Sequence, residues 1–430
     1  RETKLVTELK DALAFADEKL DEVVLLAKAI TQGRDGITDQ LEECDRALQA
    51  IKLSGERNRS DIRHDVAAIS AQYPERSRPF SERHIAQQKK WKLPIFPTTT
   101  IGSFPQSAEV RKARQLWRKG EWNNEQYASF IREQIDIWIK LQEEVGLDVL
   151  VHGEFERTDM VEFFGEKLAG FAFTQNGWVQ SYGSRCVKPP IIFGDVAFLE
   201  AMTVEETKYA QSRTDRPVKG MLTGPITIMN WSFVRDDITR EQIAYQLAYA
   251  LRQEVEALEQ AGIGMIQIDE PAVREGLPLK EAEQANYLAW AVRAFRMTTC
   301  TVQDTTQIHT HMCYCEFHDM IDSIEAMDAD VISIETSRSH GELIHSFELN
   351  TYKLGIGLGV YDIHSPRIPN VEEMTSMIER ALRVLDPKLF WINPDCGLKT
   401  RGLEETIASL HNMVEATRIV RARHALNAIG

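Results

Sequence analysis

The sequence contains no run of about 18 apolar residues, so no segment reads as a membrane-spanning helix. It also has no basic-then-apolar opening segment that would direct secretion, and the expected location is the cytoplasm. Cysteine is scarce, six in 430 residues. That excludes a disulfide framework and leaves metal or thiol chemistry in a reducing compartment. Positive charge is short as well: 50 Lys and Arg stand against 65 Asp and Glu, a net charge of −15. Nothing offsets phosphate repulsion, so neither nucleic acid nor a membrane is an expected partner, and small-molecule chemistry is. No internal repeat and no low-complexity tract occur. The chain opens at Arg1 rather than at methionine, which is expected of a fragment or a processed chain.

What is present is enough chain for a large barrel plus something smaller. Over residues 2–30, Leu5, Leu9, Leu13, Leu20, Val24 and Ala27 recur at helical spacing; over 38–54, Leu41, Leu48 and Ile51 do the same. Such amphipathic helices need a partner for their apolar stripes. Residues 55–92 are polar and rich in Arg, Ser and Glu, which reads as a linker or surface extension.

From Thr98 onward, short apolar runs alternate with long helical patterns, the signature of βα units around a parallel sheet. Strands are predicted near 98–103, 149–154, 219–223, 265–269, 308–313, 331–335, 356–361 and 389–394, and eight is the number that closes a barrel. Helices are predicted near 124–145, 239–261, 280–298, 316–327, 371–385 and 403–420. Thr239 with Gln242 three residues on forms a capping box. One excursion interrupts the alternation: Phe171 to Phe173, a turn at Asn176-Gly177, Trp178-Val179, then Ile191 to Phe193. Apolar alternation about Asn-Gly predicts a hairpin, placed over the barrel mouth. The fold class is α/β, a TIM-type (β/α)8 barrel over 93–430 preceded by a helical region over 1–92.

In such barrels the chemistry gathers at the C-terminal strand ends. Ser103, Glu154, Asp269, His311, Cys313, Glu335, His364 and Cys396 all fall at or just past those ends. Any one of these carboxylates alone is more often a cap or a solvated loop residue; eight such residues converging on one mouth are harder to explain that way. His311 and Cys313 lie two apart in a strand and so point the same way. With Glu335 and Cys396 they form a set of two cysteines, a histidine and a glutamate, suited to one zinc ion. Ligands spread from His311 to Cys396 across several strands favour a site in the barrel mouth over a structural knuckle. His309 shares the face of His311 and is expected to support the ligands rather than join them. Without metal, Cys313 and Cys396 are expected to be close enough to oxidise to a disulfide.

At these positions the chain resembles the cobalamin-independent methionine synthase family. The resemblance rests on Thr99 to Pro105 (TTIGSFP), His152-Gly153-Glu154, Leu222 to Pro225 (LTGP), Gln267 to Pro271 (QIDEP), His309 to Cys313 (HTHMC), Glu335 to Arg338 (ETSR), Tyr361 to Pro366 (YDIHSP) and Asn393 to Leu398 (NPDCGL). The motifs run in family order from about residue 95 to 420. The resemblance implies zinc-dependent methyl transfer from 5-methyltetrahydrofolate, usually polyglutamylated, to the homocysteine thiol, with Glu335 yielding to the incoming sulfur. It implies His364 as proton donor to the pterin nitrogen, and Ile101, Gly102, Ser103, Glu154 and Asp269 around the amino-acid head of homocysteine. It implies Arg185, Cys186, Trp231 and Glu275 against the folate, and residues 1–92 as the end of an N-terminal barrel and its connection. That barrel, in the family, packs on the catalytic half and helps hold the polyglutamate tail. Two other functions stay open on residues alone: a single-barrel zinc-thiolate methyltransferase with another methyl donor such as a corrinoid, and a non-catalytic zinc-holding module.

Overall fold

The computed structural model describes residues 2–3, 5–180, 186–313, 320–335 and 352–427. Helix α1 (Ala16–Gln32) follows a short turn of helix at Thr7–Asp11, so the helix expected over 2–30 is broken. The Glu18 carboxylate accepts from the Phe15 N–H and starts α1 afresh. Helix α2 (Thr38–Lys52) lies as expected. Leu9 and Ile51 find their partner in Ile191, with Leu13 and Phe193 beside them. The stripe of α1 does not: Leu20, Val23, Val24, Leu26 and Ile30 are all more than 60% exposed.

Residues 55–92 are far from a loose linker. They form α3 (Ser60–Ser70) and α4 (Phe80–Trp91), and they are fastened to the barrel by buried charge. Arg83 donates to Asp330 Oδ1 at 2.9 Å and Asp328 Oδ1 at 2.8 Å, while Asp330 Oδ2 also accepts the Ile308 N–H at 2.8 Å. A polar composition conceals this because the charges are spent inward. Truncating one partner of a buried pair strands the other, so Arg83→Ala is expected to cost about 3–5 kcal/mol of stability. Urea unfolding checks this; a loss under about 1 kcal/mol would show that the network is dispensable.

The barrel follows. Its regular strands are β1 (Leu150–Val151), β2 (Val218–Thr223), β3 (Met265–Asp269), β4 (Gln307–Met312), β5 (Val331–Ile334), β6 (Gly355–Gly359) and β7 (Phe390–Asn393). They are paired in that order, every pair parallel. The eighth, expected over 98–103, is irregular. Thr98 bridges Ile392 of β7, the Thr98 carbonyl accepts from Val149 beside β1, and Ser103 bridges Gly153. Thr98 gives its N–H to the Asp148 carboxylate at 2.8 Å instead of to a neighbouring strand, which is why no ladder forms. The ring is closed all the same. Its N-terminal end is plugged by Val149, Met265, Val331 and Trp391, under Trp91 and Leu93 from the end of α4.

Long helices cover the outside: α5 (Asn124–Val145), α6 (Arg240–Gln260), α7 (Glu281–Thr299), α8 (Val371–Ala381) and α9 (Leu403–Asn427). Thr239 and Gln242 form the expected capping box, and Asn123–Gln126 and Asn370–Glu373 form two more. Of the helix predicted near 316–327, Ile321–Ala326 is described; residues 314–319 lie outside the described residues. In the excursion, Leu168–Ala172 pairs antiparallel with Ile191–Phe198, while Val179–Gln180 pairs separately with Cys186–Val187. The expected hairpin is thus split. Phe171 opposes Ile192 rather than Trp178, because the Asn176-Gly177 turn closes on Thr174, whose hydroxyl accepts the Gly177 N–H. Among the described residues no helix is long and apolar enough to cross a membrane.

Candidate metal centre and substrate site

Parallel pairing in register delivers the cysteine–histidine cluster. His311 is the penultimate residue of β4 and Glu335 follows β5, so both stand at the C-terminal rim; Cys396 arrives from the loop after β7. His311 Nδ1 lies 2.9 Å from the Ser333 carbonyl. A carbonyl only accepts, so Nδ1 carries the proton and Nε2 faces inward as the available donor atom. From Nε2 it is 3.1 Å to Cys313 Sγ, from there 3.0 Å to Cys396 Sγ, and Cys396 Sγ donates to Glu335 Oε1 at 2.9 Å. All four ligand atoms lie within 4.8 Å of one another.

Without an ion, protons occupy this space. The bond from Cys396 holds Cys313 down at about 6, burial opposing and His311 helping. The Cys396 thiol is pushed well up by that same contact and by burial. Burial disfavours a charged His311, but the neighbouring Cys313 raises it to about 9. A thiolate, a carboxylate and two groups ready to release protons form an electron-rich nest for a dication, and the two-sulfur, one-nitrogen, one-oxygen set fits a borderline-soft ion. If metal is stripped and the protein is exposed to air, Cys313 and Cys396 are expected to join, so that thiol titration falls by two per chain. An unchanged thiol count after chelation and oxidation would contradict this.

His309 is not the expected support. Its Nε2 pairs with Gln307 Oε1 at 2.9 Å and its ring meets Trp391 edge-on. It faces the same way as His311 but sits a layer deeper, in the filling of the barrel.

Beside the cluster stand two carboxylates, Asp269 and Glu154. Asp269, the last residue of β3, is the register partner of His311, one strand spacing away. Burial pushes Asp269 up to about 7, against the pull of His311 and a 2.7 Å bond from Gln267. The second carboxylate, Glu154, sits at φ +59°, a left-handed backbone that a non-glycine residue adopts at a cost. Arg157 stands 3.6 Å from Glu154 Oε1 and is itself anchored by Glu156 at 2.7 Å and the Met221 carbonyl at 2.9 Å. Glu154 closes directly over Gly102: a Cβ there would come within 2.4 Å of Glu154 Oε1. Ile101, Gly102, Ser103, Glu154 and Asp269 are therefore brought to one place.

In the segments that follow β2 and β3, Trp231 Nε1 donates to Glu275 Oε2 at 2.9 Å, with Trp231 half-buried and Glu275 exposed. Cys186 is exposed on its short ribbon; Arg185 lies outside the described residues, as do Thr336, Ser337 and Arg338. His364 is half-buried in the loop after β6, its N–H held by Asp362 at 2.7 Å. That loop is tied to the loop carrying Cys396 by the Asp395 N–H donating to the Tyr361 carbonyl.

Sequence reasoning missed several supporting residues. Ser333 orients His311, Arg157 holds Glu154, and Lys219 and Gln267 underlie Asp269. Glu270 caps the short helix Pro225–Asn230 by accepting from Ile226 and Thr227. A lysine within the apolar run Val218 to Leu222 was a readable signal, as was period-two alternation of Gln267 with Asp269.

Fold and site together define a TIM-type barrel with a cysteine–histidine–glutamate centre in its mouth. Residues 96–419 match the profile described as cobalamin-independent synthase, catalytic domain. The chain belongs to the cobalamin-independent methionine synthase family. It is 59% identical over 427 residues, 99% of its length and 56% of the relative's, to the 5-methyltetrahydropteroyltriglutamate–homocysteine methyltransferase of Bacillus thuringiensis (strain Al Hakam). It is 58% identical over the same shares to the protein of that name in Bacillus cytotoxicus. The chain thus spans about half the length of the curated relatives it matches. The fold is shared with a B12-independent methionine synthase from Shewanella sp. W3-18-1 in complex with selenomethionine, at TM-score 0.64 and 22% identity over 77% of this chain and 99% of that one. A putative vitamin-B12 independent methionine synthase from Listeria monocytogenes matches at TM-score 0.62 and 18% identity, over 76% of this chain and 98% of that one.

Proposed function

We propose that this chain is the catalytic half of a methyltransferase that moves the methyl group of 5-methyltetrahydrofolate polyglutamate to homocysteine, giving methionine. The observation that carries the proposal is the register pairing of Asp269 with His311, which sets a buried carboxylate one strand from the cysteine–histidine cluster. His311, Cys313, Glu335 and Cys396 would hold Zn2+. The ion, when bound, would keep the incoming thiol deprotonated at neutral pH, against an unperturbed pKa of about 8.5. Of the four, Glu335 would be the ligand that makes room for that sulfur.

The rest falls to the chain's own side chains. Glu154 and Asp269 take the ammonium of homocysteine, and the Ile101, Gly102 and Ser103 backbone takes its carboxylate, so the sulfur points to the cluster. Trp231 offers the pterin a stacking face and Glu275 an acceptor for its amino-pyrimidine edge, with Arg185 and Cys186 alongside. Sulfur attacks the methyl carbon, the carbon–nitrogen bond breaks, and the His364 imidazolium gives its proton to the departing nitrogen. His364→Ala is expected to lower kcat by about 10²–10⁴-fold with homocysteine affinity unchanged.

Residues 93–430 form the catalytic unit. Residues 1–92 are the end of an N-terminal barrel, and the exposed apolar face of α1 supports that barrel as its missing cover. The location is cytoplasmic. The test is methyl transfer by the zinc-loaded chain, supplied with the N-terminal barrel, from 5-methyltetrahydrofolate triglutamate and from methylcobalamin in turn. Turnover with the folate alone supports the proposal, and turnover with methylcobalamin alone would replace it by the corrinoid reading.

A further inference from the structure

Lys219 lies on β2 inside the barrel, completely shielded from solvent. A buried amine is costly to charge, and burial pulls Lys219 down to about 7 against the pull of Asp269, so its bonds bear on its purpose. Its Nζ donates to the Thr100 carbonyl at 2.9 Å and to Gln267 Oε1 at 2.6 Å. Gln267, on β3, passes the arrangement on: its Nε2 donates to the Ile101 carbonyl at 3.1 Å and to Asp269 Oδ1 at 2.7 Å.

The direction of this relay is fixed by chemistry. The Lys219 Nζ–H groups point at the Gln267 oxygen while the Ile101 carbonyl and the Asp269 carboxylate take the Gln267 N–H groups, so the amide oxygen faces the lysine. Turned over, the amide would set its own N–H groups against Lys219 and its oxygen against two acceptors. Lys219 therefore decides which way Gln267 points, and Gln267 decides where Asp269 and the Ile101 carbonyl sit. The segment it steadies is the irregular eighth strand, where a side-chain bond to Thr100 stands in for a missing ladder. Two walls of one pocket, the Asp269 carboxylate and the Ile101 to Ser103 backbone, thus hang from a single cation.

We propose that Lys219 is a positioning residue for the amino-acid head of the thiol substrate, acting through Gln267 to fix Asp269 against the Ile101 to Ser103 backbone. This rests on the reading of that pocket given above. It assigns Lys219 a share in specificity rather than in methyl transfer itself, because the sulfur end of the substrate meets other residues.

The test compares two thiols binding to the zinc-loaded chain by calorimetry: L-homocysteine and 1-propanethiol, which has the sulfur and no head. Lys219→Met removes the charge at nearly constant volume. It is expected to weaken homocysteine by about 10–100-fold, the worth of a charge-assisted contact, while propanethiol affinity and zinc content hold. Gln267→Met breaks the relay one link further on and is expected to produce the same selective loss. Equal weakening of both thiols, or homocysteine affinity kept within about twofold in both variants, would overturn the proposal. So would failure of both variants to fold, since that would make the relay structural. If wild-type protein does not distinguish the two thiols, the pocket reading itself fails; if it does and the variants still do, only the role of Lys219 fails.

Discussion

Cys396→Ser is expected to abolish tight metal retention and, with it, methyl transfer. Cys396 Sγ stands in the middle of the cluster, touching both Cys313 Sγ and Glu335 Oε1. Serine is close to cysteine in size, so the loop after β7 keeps its shape, yet a hydroxyl stays protonated where a thiol would ionise. The site then offers one thiolate, one imidazole and one carboxylate. Losing a supporting partner of a metal ligand costs roughly 10–100-fold in affinity, and loss of a ligand itself is expected to exceed that. Elemental analysis after dialysis against a chelator measures it. Full retention by the serine variant would remove Cys396 from the ligand set.

Gly102→Ala is expected to have a large effect of a different kind: homocysteine affinity falls while metal stays. An added methyl would lie 2.4 Å from Glu154 Oε1 and 2.6 Å from the Met221 Cε. The methionine end can swing away. Glu154 has less freedom, because its backbone is held in the left-handed region and Arg157 stands beside its carboxylate. Relief therefore comes by moving the carboxylate proposed to receive the substrate ammonium, and loss of a hydrogen bond to a charged group costs about 10–100-fold in affinity. Calorimetric titration with homocysteine gives the number, with metal content as the control. Unchanged affinity would mean that Glu154 does not face the ammonium.

Much of this was legible because strands alternate with a fixed period. His311 and Cys313 could be paired from spacing alone, and strand ends located Glu154, Asp269 and Glu335 before any fold was known. Backbone irregularity was harder to see. The segment at 98–103 has the β-branched residues of a strand, Thr98 to Ile101, but Asp148 captures the Thr98 N–H and the ladder does not form. Buried charge was harder still. Arg83 and Asp330 look like surface residues in composition, and only tertiary pairing reveals that each is almost wholly enclosed. His309 shows the converse limit: period-two reasoning put it on the correct face but could not give depth along the barrel, where it pairs with Gln307 well below the mouth.

The four-residue cluster is proposed to bind a zinc ion that takes the substrate sulfur. The most direct test is zinc per chain by elemental analysis, joined to the zinc-edge X-ray absorption spectrum before and after homocysteine is added. One zinc per chain, with a shell of two sulfurs, a nitrogen and an oxygen that gains a third sulfur, is the expected result. One zinc whose shell does not change on adding homocysteine would contradict it, leaving a metal that holds structure and activates nothing.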